Sequence, residues 1–413
     1  MNATNDLGMN ILVMTDQYLP HAGGSRVYYH NLYSRLVDAY PDRATILTKK
    51  VPGWQEFDKS LTGKSLRIIR RFQPLPDLHA EHLPKIVFPL FDATLRVLGR
   101  GVDIVHSGDL YPPGVISLWL KHFLGVPFLA FCHGEDITLT ENRRHQRGVR
   151  NRIYERADGV IAACEFARQS LLGIGIPEDR IVKITPGVDW QRFAPKARSE
   201  ALVRRYNLQN QRVLLTVARL TPRKGHATVL RALARVLPDE PDTTYLIVGT
   251  GPQAEPLRRL ADELGIAHKV RFVGYVPEEE LVDYYNLCDV FVMINQEQDG
   301  DIEGFGMVFL EANAVGKPVI GGRSGGTADS IAHGATGYRI VPDNVDELVG
   351  YLRLVLPSVE LRRQLGDEGL RRARSDFSWS TRVEKLRETS LEVLARCRGG
   401  KNSRKASMAS TQA

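Results

Sequence analysis

Val213-Leu-Leu-Thr-Val217 runs directly into Ala218-Arg219-Leu-Thr-Pro-Arg223-Lys224-Gly225. An apolar run ends at Val217, and a basic loop holding Pro222 and Gly225 then opens onto amphipathic sequence. Strand, loop and helix in that order form the repeating unit of a parallel sheet wrapped by helices. The unit recurs on both sides of this stretch. Downstream, strands are expected at Tyr245–Val248, Val270–Val273, Val290–Ile294, Pro318–Gly321 and Gly337–Ile340. Helices such as Ala254–Leu264 and Glu279–Leu287 separate them. Upstream, strands are expected at Ile11–Met14, Ala44–Thr48, Ile104–His106, Phe128–Cys132, Gly159–Ala162 and Ile181–Ile184. The polar stretch Gln191–Arg205 interrupts the alternation and reads as a linker that opens onto a helix. The expected fold class is therefore α/β, with two Rossmann-like doubly wound domains, 1–190 and 191–377. Sheets of this kind bind ligands at the carboxyl ends of their strands, so two such domains are expected to face each other across a cleft. A long amphipathic helix follows over 378–397, and 398–413 is expected to be a disordered basic tail.

The chain has 413 residues, 43% hydrophobic and 25% charged, which suits two soluble domains. The net charge of +7 is local. Arg396, Arg398, Lys401, Arg404 and Lys405 crowd the tail, and the rest of the chain is close to neutral. That balance argues against a nucleic-acid binder. The tail fits either an arm drawn to anionic lipid or a segment kept soluble by charge. Cys132, Cys164, Cys288 and Cys397 form no Cys-x-x-Cys pair, and the first three lie in apolar runs. So few thiols fit a reducing cytosol. The N-terminal residues are polar, and no apolar run reaches membrane-spanning length. A cytoplasmic protein is expected, with peripheral contact at the inner face of the cell membrane left open. Arg67-Ile-Ile-Arg-Arg71 and Lys85–Arg100 mix bases with apolar residues; they read as a lipid-facing surface or as an ordinary strand and amphipathic helix.

Four constellations carry candidate chemistry. Arg219 and Lys224 emerge where a diphosphate would sit, Arg as a bidentate fork and Lys as a compact charge. An exposed basic turn is the alternative. In Asp301-Ile-Glu303-Gly-Phe-Gly306-Met307-Val308-Phe-Leu-Glu311, the glycines permit close backbone approach to a ligand. The helix beginning near Gly306 would aim the N–H groups of Met307 and Val308 at a phosphate. Glu303 precedes that helix, and Glu311 lies in an otherwise apolar part of it, where a carboxylate needs partners. Hydroxyls of a sugar or ribose would serve; so would an Arg. Gly23-Gly24 follows the first strand and fits either a phosphate-facing backbone or a simple turn. His133, in Phe131-Cys-His-Gly-Glu-Asp136, sits at a strand's carboxyl end and fits either a ligand contact or a structural turn.

Taken together, the glycine loop, His133-Gly-Glu-Asp, Arg219-Leu-x-x-x-Lys-Gly, Val248-Gly-Thr-Gly-Pro252, the Glu303/Glu311 pair and Ser324-Gly-Gly-Thr occur in an order that resembles family 4 of the retaining GT-B glycosyltransferases. That group includes bacterial phosphatidylinositol mannosyltransferases. The resemblance implies transfer of a mannose- or glucose-type hexosyl group from a GDP- or UDP-linked donor to a glycan, lipid or small-molecule hydroxyl, with no metal or other cofactor. It implies that Arg219 and Lys224 hold the donor diphosphate and that Glu303 contacts the sugar. Glu311 would bind ribose, His133 would lie beside the sugar, Gly24 near the β-phosphate and acceptor, and Val276 would meet the base through its backbone. It also implies that the last helix crosses back onto the first domain. Asp299-Gly300-Asp301 resembles the metal-binding Asp-x-Asp of the other glycosyltransferase fold and is read here as a polar loop. A nucleotide-sugar 2-epimerase of the same fold, or a non-catalytic nucleotide-sugar binder, are the rival readings.

Overall fold

The computed structural model describes residues 8–20, 23–61, 65–72 and 83–410. Within these residues the chain divides into two compact units, one built from the segments through Thr185 and from Trp379 onward, the other from Pro186–Ser378.

Among the described residues, the first unit holds a seven-stranded parallel sheet in the order β3-β2-β1-β4-β5-β6-β7. Its strands are β1 (Asn10–Met14), β2 (Arg43–Lys49), β3 (Leu66–Phe72), β4 (Ile104–Ser107), β5 (Phe128–Cys132), β6 (Gly159–Ala162) and β7 (Ile181–Lys183). Its central strands are nearly unbroken apolar runs, because helices cover both faces and no side need face water. Every residue of β4, β5 and β6 is buried. The chain runs from β1 outward to β3, then returns to β4 and proceeds the other way. The reversal leaves a switch point between β1 and β4, where loops diverge and a crevice opens.

The Trp379–Ser410 helix completes this unit. Arg387 donates through Nε to the buried carboxylate of Asp42 at 2.9 Å, and Ser390 lies 3.2 Å from Nε2 of buried His106. Trp379 packs on Tyr28, with ring centroids 6.1 Å apart. The helix expected to end at residue 397 continues to Ser410, through the basic stretch expected to be a disordered tail. Ala, Lys, Arg and Met favour helix strongly enough to carry it past Gly399 and Gly400. Residues 411–413 lie outside the described residues.

Among its described residues, the second unit holds a six-stranded parallel sheet in the order β10-β9-β8-β11-β12-β13. These are β8 (Arg212–Val217), β9 (Thr243–Val248), β10 (Val270–Gly274), β11 (Val290–Met293), β12 (Val319–Gly322) and β13 (Gly337–Ile340). Its core draws Leu214, Val229, Leu233, Ile247, Val292, Ile320 and Leu352 together from both layers. Here the switch point falls between β8 and β11, so the stretch that opens with Val213 ends at the crevice.

Candidate active site

β8 and β11 run in parallel register, Leu214 opposite Val290 and Leu215 opposite Phe291. The loops leaving their carboxyl ends therefore lie side by side. Gly225 makes the closest approach possible. Its φ is +66°, and a Cβ there would sit 1.8 Å from the Ile294 carbonyl oxygen, a clash no side chain tolerates. The backbone N–H of Gln296 donates to the Arg223 carbonyl at 2.9 Å and locks the two loops together.

This juxtaposition brings the basic loop onto Glu303. The Lys224 ammonium donates to Oε2 of Glu303, and Nη1 of Arg223 donates to the same oxygen at 3.1 Å. Arg223 also reaches the Ile302 carbonyl at 2.9 Å and, through Nε, the Asp301 carboxylate at 3.1 Å. Burial works to raise the Glu303 pKa, but Lys224 and Arg223 more than offset it and hold the carboxyl below its ordinary value. Gly326 donates its N–H to the Glu303 carbonyl at 2.8 Å, so the Ser324-Gly-Gly loop backs the turn. Arg219 stands at the start of the basic loop with its side chain exposed. Asp301, from the Asp-Gly-Asp loop, is engaged by Arg223.

Past Glu303 the chain turns at Gly306, whose left-handed φ of +80° starts the Met307–Ala314 helix without a side-chain cap. The first-turn N–H groups of Met307 and Val308 have no acceptor within the helix. Glu311, in the same helix, accepts a hydrogen bond from the Tyr285 hydroxyl at 2.5 Å. Burial pushes its pKa up to about 7 against the opposing pull of that bond. The partner of Glu311 is thus a phenol rather than an Arg. Val276 is buried in the loop after β10, next to exposed Tyr275.

In the first unit, Gly24 opens the Gly24–Ala39 helix and is exposed, as is Gly23. His133 follows β5 and is tied down twice. Its backbone N–H donates to Asp136 at 2.7 Å, and its Nε2 lies 2.7 Å from the Tyr29 hydroxyl. Tyr29 donates its single hydroxyl proton to the Gly108 carbonyl at 2.6 Å, so Nε2 carries the proton toward Tyr29 and Nδ1 keeps the lone pair. Burial lowers the His133 pKa, with Asp136 opposing, which favours the neutral ring. Beside it at the switch point, Asp109 accepts from the Thr15 hydroxyl at 2.7 Å and from the Asp16 N–H at 2.8 Å. Burial and the Asp16 charge push the Asp109 pKa well up.

The structure thus joins Lys224 to Glu303 and sets Met307, Val308 and Glu311 on one helix beyond them, entered through Gly306. Four partners escaped the sequence reading: Arg223, Tyr285, Tyr29 and Asp109. Arg223 and Asp109 carried a usable signal, since both follow a strand at a switch point. Tyr29 and Tyr285 sit in ordinary helices and gave none. Of the arginines in the basic stretch 143–152, Arg143, Arg144, Arg147 and Arg152 are exposed. Arg150 is instead buried and donates to the Ile137 carbonyl and to Glu141.

Two family models match the chain, Glycosyl transferases group 1 over residues 199–372 and Glycosyltransferase Family 4 over residues 22–192. The chain belongs to glycosyltransferase family 4. This glycosyltransferase is 29% identical over 385 residues to a GDP-mannose-dependent alpha-(1-6)-phosphatidylinositol monomannoside mannosyltransferase of Mycolicibacterium smegmatis, covering 92% of this chain and 97% of that protein. It is 29% identical over 390 residues to a D-inositol 3-phosphate glycosyltransferase of Geodermatophilus obscurus, covering 88% and 84%. Among solved structures, sucrose-phosphate synthase from Thermosynechococcus elongatus superposes with a TM-score of 0.77 at 24% identity, covering 94% of this chain and 100% of that one. Anabaena HepE in complex with UDP and glucose gives 0.75 at 19%, covering 92% and 99%. The glycosyltransferase has the GT-B fold and uses a nucleotide sugar as donor. No helix among its described residues is long and apolar enough to cross a membrane.

Proposed function

We propose that this glycosyltransferase transfers mannose from GDP-mannose, with retention and without a metal, to a hydroxyl of an inositol-bearing lipid acceptor. The observation that carries the reading is the Lys224–Glu303–Arg223 cluster at the β8/β11 switch point, one turn from the uncapped helix at Gly306. A diphosphate needs concentrated positive charge and free N–H groups, and a sugar needs a fixed, charged carboxylate; both stand in one crevice. In this assignment Arg219, Lys224 and the N–H groups of Met307 and Val308 hold the diphosphate. Glu303 takes the sugar hydroxyls, Glu311 the ribose and the Val276 backbone the base. Gly24 and His133 serve the sugar and the acceptor. Mannose and inositol follow the GDP-mannose-dependent phosphatidylinositol monomannoside mannosyltransferase and the D-inositol 3-phosphate glycosyltransferase that the chain resembles.

The transfer is a front-face substitution. The acceptor oxygen bonds to the anomeric carbon as the bond to the diphosphate oxygen breaks, and the acceptor proton passes to the departing phosphate. No side chain becomes a nucleophile. The cations and the helix N-terminus stabilise the charge that grows on the leaving group.

A lipid acceptor gains support from the Leu83–Arg100 helix. Phe88, Phe91, Leu95 and Leu98 lie at helical spacing on its outer side, 52 to 74% exposed. Such a stripe marks an interaction surface. The neighbouring Val115–Leu124 helix adds exposed Phe123, and beyond it the Arg144–Arg156 helix adds exposed Arg144, Arg147 and Arg152. Apolar residues flanked by bases suit an anionic bilayer.

The test is thermal shift against GDP, UDP and ADP, followed by product analysis with GDP-mannose. GDP is expected to give the largest shift, and the product to be an α-mannoside. Lys224→Ala should retain its fold and lose roughly a hundredfold or more in turnover. Free epimerised donor, an intact donor after long incubation, or near-normal turnover by the Lys224 variant contradicts the assignment.

A further inference from the structure

Glu303 has two cations on one carboxylate oxygen, and the two are not alike. Arg223 is 8% exposed, and its guanidinium grips three successive residues of one turn: the Asp301 carboxylate, the Ile302 carbonyl and Glu303 itself. Its own backbone is fixed to the exit of β11. Gln296 donates its backbone N–H to the Arg223 carbonyl at 2.9 Å and its side-chain amide to the Pro222 carbonyl at 3.2 Å. Lys224 is a single ammonium on a flexible stem, with Glu303 as its ion-pair partner. A diphosphate carries more negative charge than a carboxylate. In the crevice it competes with Glu303 for the cation that can turn, while the planar, multiply bonded guanidinium stays put.

We infer that Arg223 is a positioning residue of the transfer reaction, holding the Glu303 carboxylate and its turn in place when Lys224 leaves them for the donor diphosphate. The inference rests on the donor site assigned above. It explains why a site that needs its lysine for phosphate keeps a second, buried base on the same oxygen. Without it, donor binding would strip a buried carboxylate of its counter-charge and favour its protonation. Among the described residues, the charged groups around Glu303 are Lys224, Arg223 and, across Arg223, Asp301.

The experiment is a double-mutant cycle on the full chain, read with GDP-mannose and with UDP-glucose in parallel. Arg223→Gln is expected to lower kcat by roughly a hundredfold. It should also move the acid limb of the kcat profile, which reports the donor-bound enzyme, to higher pH. In a Glu303→Gln background the same change should cost less than about threefold, because Arg223 acts through that carboxylate. Arg223→Lys keeps the charge but cannot span all three acceptors. It should leave the acid limb near the wild-type position with an intermediate kcat, and it serves if the Gln variant does not fold. Equal losses in both backgrounds, an unmoved acid limb in the Gln variant, or a Lys variant as impaired as the Gln variant overturns the inference. A wild-type protein that turns over neither donor and binds neither GDP nor UDP overturns the donor site itself, a result distinct from any behaviour of the variants.

Discussion

The Tyr285 hydroxyl meets Oε2 of Glu311 at 2.5 Å, and this bond works against the burial that raises the pKa of the residue assigned to ribose. Burial pushes Glu311 up to about 7; Glu278 adds to that and Arg192 opposes it, alongside Tyr285. A carboxylate that accepts two ribose hydroxyls binds in its charged form. Below a pH of about 7 the free protein holds the neutral acid and must lose a proton to bind, so GDP affinity should fall by about tenfold per unit at the limit. Above it, affinity should level off. Tyr285→Phe removes a hydrogen bond to the charged form, so the transition should move to higher pH. Titration calorimetry between about pH 5.5 and 8.5 measures this; a flat profile for the wild type contradicts the ribose assignment.

The Arg387–Asp42 pair is buried on both sides, and Asp42 also accepts the Met9 N–H at 2.8 Å. Arg387→Ala leaves a buried carboxylate without its counter-charge, with the Met9 N–H as its donor among the described residues. It should cost about 3–5 kcal/mol in unfolding of the first unit. Replacing both partners, with Arg387→Met and Asp42→Asn, should cost less than the single change. Urea denaturation followed by circular dichroism reads both. A loss under about 1 kcal/mol for Arg387→Ala would mean that water reaches the site.

The Leu83–Arg100 helix gives a prediction that leaves the chemistry untouched. Phe88→Asp with Leu95→Asp should abolish co-sedimentation with vesicles rich in anionic lipid at low salt. Hydrolysis of GDP-mannose in solution should stay at the wild-type rate. Wild-type protein that stays in the supernatant with anionic vesicles removes the membrane reading.

The strand and helix alternation was legible because each buried strand is a continuous apolar run bounded by glycine or polar loops. Phe128–Cys132, Gly159–Ala162 and Gly337–Ile340 coincide with β5, β6 and β13 to the residue. Ends moved where the ladder continues through polar residues, as at Thr243 and Thr244 in β9. Glu303 and Lys224 were each legible as site candidates, Lys224 in the loop after a strand and Glu303 just before a helix. Their contact was not, since it depends on β8 and β11 being neighbours across the switch point. The basic loop offered three cations of similar standing. Sequence spacing favoured Arg219 and Lys224, but in the folded loop, packed through Gly225 on Ile294, Arg223 is buried while Arg219 faces water. The pairs Tyr29–His133 and Tyr285–Glu311 left no trace, because a helical tyrosine with a distant acceptor looks like any other core aromatic.

The Trp379–Ser410 helix has a consequence for biosynthesis. The second unit is an uninterrupted segment, whereas the first waits for a helix encoded after it. During vectorial synthesis the half that leaves the ribosome first is therefore the last to be finished. Until Arg387 and Ser390 emerge, Asp42 and His106 lack their partners from that helix and one wall of the nascent sheet stays bare. A nascent chain halted once Ser378 has emerged, but not the helix that follows it, would carry a folded second unit and an unfinished first one, whose open face is the natural hold for a chaperone.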